Sequence, residues 1–460
     1  MPVAPATQDF TWQLSLRHRS RRPLGAGRQA RSLSLSPAMA IDLQQPNLTL
    51  CVRRPSAAAK SPAIVVGRSS LPSTLPTNHI VIKVETFGFS ANNVTYQALG
   101  EQPHFRYFDF HPVPADIAGS VAAPKTHGLV PVWGFGTVVA SAHAKIPVGE
   151  RVYGYFAPAR YLVVPVSPND VNKHAFYVPR PHLPEDRRPY NQIIRCATDP
   201  QYSSSPLDEA LTMLYRPLFW TAFWFEDWMH TLNYRGASAF LISSASAKTA
   251  FCAAYVIRKR RAREGADVRI VGLTSARNLA FTQGLGLYDA VFTYEQLAHV
   301  VPRERRWVYV DVAGNDALNT RLFAEFAAEG RREKGICELV TSVALGMTNL
   351  APASEQAGAF DWGANTAKAP RDGTSGTRME QFFMPEWLSV RKNQLSLEEI
   401  FERQHRAWAD LMVDGKNWVK IVHVSGAERV KSAYERVAED GFSPDIGFIW
   451  SMWDSKDAKL

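Results

Sequence analysis

The stretch Ala239-Phe-Leu-Ile-Ser-Ser-Ala-Ser-Ala-Lys-Thr-Ala-Phe251, running on to Val268-Arg-Ile-Val-Gly-Leu-Thr274, decides how the chain is read. An apolar run, 239–242, stops at a cluster of small hydroxyl residues, Ser243, Ser244 and Ser246. A helical pattern follows, with Ala250, Ala254 and Ile257 on one face and Phe251 and Tyr255 beside it. The basic stretch 258–263 closes that helix, and a second apolar run, 268–273, comes next. Strand, tight turn, helix and strand at this length predict a βαβ unit. The turn of such a unit presents backbone N–H groups and a helix N-terminus where a phosphate can sit.

After this unit the alternation continues. The sequence predicts a helix over 278–285, a strand over 290–293, a strand over 307–312 and an amphipathic helix over 318–328. A strand over 336–343 follows, then a Gly/Ala/Ser-rich long loop or lid over 346–376, a sixth strand within 378–383 and a helix over 396–412. Alternating strands and helices build a doubly wound parallel sheet. Before the unit, β-branched runs at 63–66 and 79–84 and short runs at 138–140, 151–154 and 161–164 predict a compact β-domain. Residues 165–206 are Pro-rich without a clear period, and 207–234 turn helical and aromatic. The tail predicts a strand at 419–424, a helix at 427–438 and a strand at 446–452.

Composition bounds the rest. Hydrophobic content of 46% with 21% charged residues belongs to an ordinary soluble protein, and 460 residues suggest two domains or one large nested pair. No window approaches a membrane span. Cys51, Cys196, Cys252 and Cys337 lie far apart, which argues against a disulfide framework and a structural zinc site. The net charge is +9, but residues 1–38 hold six arginines and one acid, Asp9. The charge therefore sits mostly in an arm rather than on a nucleic-acid-binding face. The arm reads as a disordered extension, as sequence upstream of a second start at Met39, or as a transit peptide. The expected location is cytoplasmic, or mitochondrial if the arm is a targeting signal.

Several short motifs recur in an order that resembles the medium-chain dehydrogenase/reductase superfamily. Val148-Gly-Glu-Arg-Val-Tyr-Gly154 is similar to its "VGDRVYG" turn, and Tyr161-Leu-Val-Val164 stands in place of "AEYVVV". Phe87-Gly-Phe-Ser-Ala-Asn-Asn93 resembles the cleft-lining "SGVNPVD" of zinc-free quinone oxidoreductases. Trp220-Thr-Ala-Phe223 resembles "LTAY", which opens the helix before the nucleotide fold. Leu285-Gly286 with Tyr288-Asp289, Asp311-Val-Ala-Gly314 and the segment 429–441 resemble "LGAD", "DTVG" and "EAYERLESG". The stretches Pro131-Val-Trp-Gly-Phe-Gly136 and 243–249 look more like an uncharacterised branch, a domain of unknown function.

The resemblance implies an α/β fold: a GroES-like β-domain (39–205), a Rossmann-like nucleotide-binding domain with a doubly wound parallel sheet (206–412) and a C-terminal return to the β-domain (413–460). It implies a reductase acting on a carbonyl or activated alkene, a small-molecule substrate and a homodimer through the edge of the parallel sheet; the charge distribution and the lack of a long apolar window argue against nucleic acid and membrane as partners. A non-catalytic member of the fold that binds a small molecule or a protein is the alternative. Ser90 stands where zinc-dependent members carry a Cys, and Trp133 occupies the His region. A catalytic zinc needs about three protein ligands, so no zinc is expected.

The family's turn is "GAAGGVG", whereas 243–249 contain no glycine. Ser243, Ser244, Ser246, Lys248 and Thr249 are the candidate phosphate ligands there, and a degenerate fold that has lost its nucleotide is the alternative. Past the second strand, Thr274, Ser275 and Arg277 replace the acid of an NAD site, which favours NADP(H); a polar turn with a solvated arginine is the structural alternative. Thr341, in the strand 336–343, completes the candidate cofactor-binding set. Asn92, Asn93 and Tyr96 are candidate catalytic residues, able to orient or protonate a carbonyl, unless the asparagines simply form a β-turn. Thr221 is the fourth, with an N-cap as its alternative. Tyr255-Val-Ile-Arg-Lys259 and Lys248-Thr249 imitate the Tyr-x-x-x-Lys pair and the end of a P-loop, but the first lies on the wrong helix and the second lacks its glycines. The runs 258–263 and 303–306 read as solvated ends of elements.

Overall fold

The structure is a computed structural model that describes residues 46–454 apart from 59, 104, 118–121, 266, 301–304, 333–336 and 346–378. The basic arm 1–38 and the expected loop or lid 346–376 lie outside the described residues.

The parallel body begins with β10 (Ala239–Ile242), in which every residue is buried. Phe240 and Ile242 belong to one hydrophobic cluster, Ala239 and Leu241 to another, so the strand is covered on both faces. That is why its sequence is a continuous apolar run rather than an alternating one. The helix α4 (Lys248–Glu264) leads to β11 (Arg269–Thr274), which pairs parallel with β10. With β12 (Ala290–Thr293), β13 (Arg306–Asp311), β14 (Glu338–Ala344) and β15 (Met379–Gln381) they form one sheet in the order β12-β11-β10-β13-β14-β15. All its pairings are parallel. The order reverses between β10 and β13, and the crevice at such a switch point is where open α/β sheets bind ligands. One face is covered by α4 and the long helix α3 (Pro206–Thr231), the other by α7 (Asp316–Arg332) through Leu318, Leu322 and Phe326.

The α3 helix opens as its sequence requires, with Pro206 at N1 and the Ser205 side chain accepting from the Asp208 backbone N–H. Its acidic pair lies inside the protein. Glu226 accepts from Arg260 of α4 at 2.5 Å and from the Tyr234 hydroxyl at 2.7 Å. Asp227 accepts from the Trp387 indole at 2.9 Å and pairs with Arg391 at 2.8 Å, both on α8 (Met384–Lys392). The basic run 258–263 is therefore not merely a solvated helix end. Arg260 reaches inward to Glu226, Arg261 pairs with Asp289 at 2.6 Å and Arg258 donates to the Gly286 carbonyl. Likewise Tyr255 and Lys259 both engage Asp414, the last residue of α9 (Leu397–Asp414), and so clamp α4 to it.

A second sheet runs β16-β17-β3-β5-β6-β9-β8, with β7 (Tyr161–Pro165) also pairing β3 (His79–Phe89). The chain's N-terminal half supplies β3, β5 (Val132–Ser141), β6 (Arg151–Phe156), β7, β8 (Ala175–Tyr177) and β9 (Gln192–Arg195). Strands β16 (Lys420–Ser425) and β17 (Ile446–Ser451) come back to it from the C-terminus. In register, Phe448 opposes Phe89 and Trp450 opposes Phe87. Between them α10 (Ala427–Asp440) buries Ala427, Val430, Ala433, Tyr434 and Val437, one face of an amphipathic helix. A small sheet of β2 (Ile64–Ser69), β1 (Asn47–Arg53) and β4 (His127–Gly128) completes this half. Among the described residues no helix is long and apolar enough to cross a membrane.

Candidate functional site

The turn after β10 is tied down from every side. The Ser243 hydroxyl donates to Asp311 Oδ1 at 3.0 Å and accepts from the backbone N–H groups of Val312 and Ala313 at 3.0 and 3.1 Å. Asp311 also accepts from Gly314 N and, at 2.7 Å, from Asn319 Nδ2, whose own Oδ1 accepts from Tyr309. This network spans the switch point and locks the loops after β10 and β13 together. Burial raises the Asp311 pKa above the usual carboxylate range, against the pull of its donors. Ser243 is thus committed to structure, with no hydrogen-bonding capacity left over for a ligand.

Ser244 carries the left-handed conformation of the turn, with φ +49°, the position at which a glycine would be unstrained. Its N–H donates to the Tyr294 hydroxyl at 3.2 Å, and Ala245 N donates to the Leu273 carbonyl at 2.9 Å. Tyr288 donates to the Ala245 carbonyl at 2.8 Å, and Asn278 Nδ2 donates to the Ser246 hydroxyl at 3.1 Å. The close approach that glycines give other turns is supplied from the neighbouring strand. A Cβ on Gly272 of β11 would stand 2.8 Å from Ala245 Cβ and 3.1 Å from the Tyr288 ring. These holders (Gly272, Asn278, Tyr288, Tyr294 and Asp311) do not stand out as site residues in the sequence. Only an isolated glycine inside a strand pattern signals a close backbone contact.

Lys248 and Thr249 open α4 behind Ala247, an N-cap with no side-chain oxygen. The first N–H groups of that helix therefore lack a side-chain cap. Lys248 leans toward the C-terminal return, donating to the Ile446 carbonyl at 3.3 Å, and burial pushes its ammonium pKa down to about 8.

Strand register sorts the remaining cofactor candidates. Ile242 is level with Gly272 on β11, so Thr274 and Ser275 stand beyond the end of β10, beside the turn. Both hydroxyls are buried and neither has a hydrogen-bond partner among the described residues. Arg277 is exposed, its guanidinium 3.6 Å from the Cβ position of Gly441 at the end of α10, and no acid among the described residues pairs with it. Thr341 lies elsewhere. It is level with Val308, two residues short of the Val310 that pairs with Ile242, and its hydroxyl donates to Glu380 Oε1 at 2.7 Å.

Three of the four catalytic candidates stand just past the end of β3. Asn92, Asn93 and Tyr96 lie on a helix, α1 (Ala91–Ala98), not on a β-turn. Asn93 is structural in its contacts: its Oδ1 accepts from Ser90 N at 2.9 Å and its Nδ2 donates to the Pro131 carbonyl. Asn92 Nδ2 donates to the Tyr96 hydroxyl at 2.7 Å, and burial raises the Tyr96 pKa. Thr221 is neither an N-cap nor at a helix start. It sits inside α3 and donates one turn back to the Pro217 carbonyl. Ser90 precedes α1 and Trp133 lies on β5, stacked on Tyr153 at 5.6 Å. Among the described residues no cluster of three His, Cys, Asp or Glu side chains could hold a metal ion.

Among curated proteins none matches the chain in sequence. Among solved structures it resembles CurA from Vibrio vulnificus in complex with NADPH: 12% identity, 88% of this chain and 98% of that chain covered, TM-score 0.52. The CurA structure described without NADPH matches over the same shares at 12% identity with a TM-score of 0.50. At such identity the likeness speaks for the fold alone, a GroES-like antiparallel half joined to a Rossmann-like parallel half. A family model described as "Protein of unknown function (DUF2855)" matches residues 87–443, from the end of β3 to the loop after α10, and the chain belongs to that family.

Proposed function

We propose that the chain is a zinc-independent, NADP(H)-dependent reductase acting on a carbonyl or an activated alkene. The observation that carries this reading is the pair of hydroxyls on Thr274 and Ser275, without a partner among the described residues, beside Arg277, which no described acid pairs, at the C-terminal edge of β11. A buried hydroxyl without a partner costs about 1–3 kcal/mol. Ribose oxygens and a 2′-phosphate at that edge would satisfy the hydroxyls and engage the guanidinium. The uncapped N-terminus of α4, with Ser246, Lys248 and Thr249 around it, suits the pyrophosphate. CurA, with the same fold, has a structure in complex with NADPH, which supports the reading.

When bound, the dinucleotide supplies a hydride. The chain's own part is to orient the acceptor and hold a proton. Asn92 fixes the Tyr96 phenol by donating to it, which leaves the phenolic proton directed elsewhere, and the raised pKa keeps that proton in place near neutral pH. In this reading residues 206–412 hold the nucleotide, while 39–205 with the return 413–460 hold the substrate. Two copies join through the edge of the parallel sheet.

The glycine-free turn favours a second reading, a non-catalytic member of the fold, because the N–H groups of Ser244 and Ala245 are already engaged. Titration of NADPH and NADH, followed by tryptophan fluorescence, separates the two. NADPH should bind more tightly than NADH. Arg277→Ala should weaken NADPH roughly ten- to a hundredfold and leave NADH nearly unchanged. Equal loss for both nucleotides would make Arg277 structural, and no binding by wild type would favour the second reading.

A further inference from the structure

The turn after β10 spends its backbone donors on the protein itself. The Ser244 N–H goes to the Tyr294 hydroxyl, that of Ala245 to the Leu273 carbonyl and that of Ala247 to the Ser244 carbonyl at 2.7 Å. These are donors of the kind by which a glycine-rich turn meets a phosphate, and they are engaged before any ligand arrives. A side chain stays unspent. The Ser246 hydroxyl, in a residue 7% exposed, accepts from Asn278 Nδ2 at 3.1 Å and donates to nothing among the described residues. A hydroxyl has one proton and two lone pairs, so a neighbour that donates to it leaves its proton for another partner.

Asn278 gives up a local bond to make this contact. It stands at the N-cap of the short helix Leu279–Gly284, where an asparagine ordinarily accepts from the N–H groups of the first turn. Its side chain makes no such bond and reaches instead to Ser246, 32 positions earlier. Its backbone is fixed on both sides: the N–H donates to the Ser275 carbonyl at 3.0 Å, and the carbonyl accepts from the Thr282 hydroxyl at 2.8 Å. A second observation points to a ligand here. Four residues before Asn278, Thr274 is 1% exposed, and its hydroxyl has no partner among the described residues. The loops after β10 and β11 thus hold buried hydroxyls with hydrogen-bonding capacity to spare, next to the uncapped start of α4.

We propose that Asn278 is a positioning residue: by donating to Ser246 it holds that hydroxyl as a donor to the pyrophosphate of the dinucleotide, in place of the engaged N–H groups of the turn. The assignment rests on the nucleotide-binding reading above and says how a turn without glycine meets a phosphate. An O–H donated to a phosphate oxygen is a charge-assisted bond, stronger than one between neutral groups. Asn278 itself touches no ligand, so its whole effect passes through Ser246.

The full-length protein, its Ser246→Ala and Asn278→Ala variants and the double variant are titrated with NADPH, NADH and ADP, followed by tryptophan fluorescence. ADP carries a pyrophosphate but neither the 2′-phosphate nor the nicotinamide. Ser246→Ala should weaken all three ligands about ten- to a hundredfold, and Asn278→Ala about three- to tenfold. The double variant should bind as Ser246→Ala does, because without the hydroxyl Asn278 has nothing to position. The ratio of NADPH to NADH affinity should stay at its wild-type value in every variant, since the pyrophosphate is common to both. A merely structural role, in which Asn278 holds the loop that carries Arg277, would lower that ratio and would weaken binding in the Ser246→Ala background as well. The assignment is overturned by either of those results, by Asn278→Ala binding as wild type does, or by its binding more tightly, as it would if the amide accepted the Ser246 proton. Any of these in a wild-type protein that binds NADPH sinks the role of Asn278 and leaves the nucleotide reading standing. ADP binding that depends on Ser246 and Asn278 in a protein that ignores NADPH and NADH would sink the reductase reading and leave the positioned hydroxyl in place. Wild type that binds none of the three overturns both.

Discussion

Removing one oxygen atom, in Ser243→Ala, tests whether the turn after β10 is held by structure or by ligand. The hydroxyl makes three contacts, one donated to Asp311 and two accepted from Val312 and Ala313. Alanine leaves two buried N–H groups without an acceptor, each worth about 1–3 kcal/mol, and removes one donor from a buried carboxyl. Asp311 keeps Gly314 and Asn319, and local relaxation recovers part of the loss, so a net destabilisation of about 2–4 kcal/mol is expected. For a body of about 200 residues this lowers the thermal midpoint by roughly 5–15 °C. The free protein, without nucleotide, is the sample, and differential scanning calorimetry is the assay. Asp311→Asn and the double variant complete a cycle, and contact between the two side chains predicts a coupling of at least about 1 kcal/mol. If Ser243 instead served a phosphate, the midpoint would stay put and only NADPH affinity would fall. That result would refute the assignment of Ser243 to the scaffold.

Four further outcomes are expected. Ser244→Gly should raise stability by up to about 1 kcal/mol, read from the unfolding midpoint, because φ +49° is strained for serine and not for glycine. Affinity for NADPH should decline as pH rises through about 8, where Lys248 loses its charge, and a Lys248→Met variant titrated across the same range should show no such decline. Arg260→Ala strands Glu226, which is 1% exposed, and should cost about 3–5 kcal/mol in urea unfolding; Glu226→Gln in the same chain should recover a large part. Elemental analysis of the purified protein should find no stoichiometric zinc.

How far the sequence is legible depends on whether the determinant is local. The β10–α4–β11 unit reads directly because its strands are covered on both faces and its helix keeps a 3.6-residue period. The terminal β16–α10–β17 unit is legible through the amphipathic period of α10, which buries Val430, Ala433, Tyr434 and Val437 on one face. Strands β8 and β9, of three and four residues, are too short to show any period and hide in a Pro-rich stretch. Helix α1 is missed because its eight residues resemble a cleft-lining loop. For the site, residue types near the turn are legible, but their hydrogen-bond partners are not. Ser243, Thr221 and Thr341 look like ligands in one dimension. Asp311, Pro217 and Glu380 claim their hydroxyls only once the fold has brought them near. The same holds for Arg260, which is basic and helix-terminal in sequence but directed inward by a glutamate 34 positions earlier.

The return of the C-terminus to β3 sets a timetable for synthesis. Ser451 donates to the Glu85 carbonyl across 366 positions, and Trp453 donates to the Val84 carbonyl across 369. At about 5–20 residues per second, the ribosome needs on the order of 20–70 seconds to deliver β17 after the end of β3 has emerged. Throughout that interval Phe87 and Phe89 lack the strand that flanks them and the Trp450 ring that stacks on Phe89 at 4.0 Å. The parallel body, whose contacts close within a shorter stretch of chain, is translated in full during the wait. A nascent chain therefore carries one nearly complete half and one open-edged half. That edge is where a chaperone would be needed, and where a premature stop codon a few dozen residues from the end would turn a folding chain into an aggregating one.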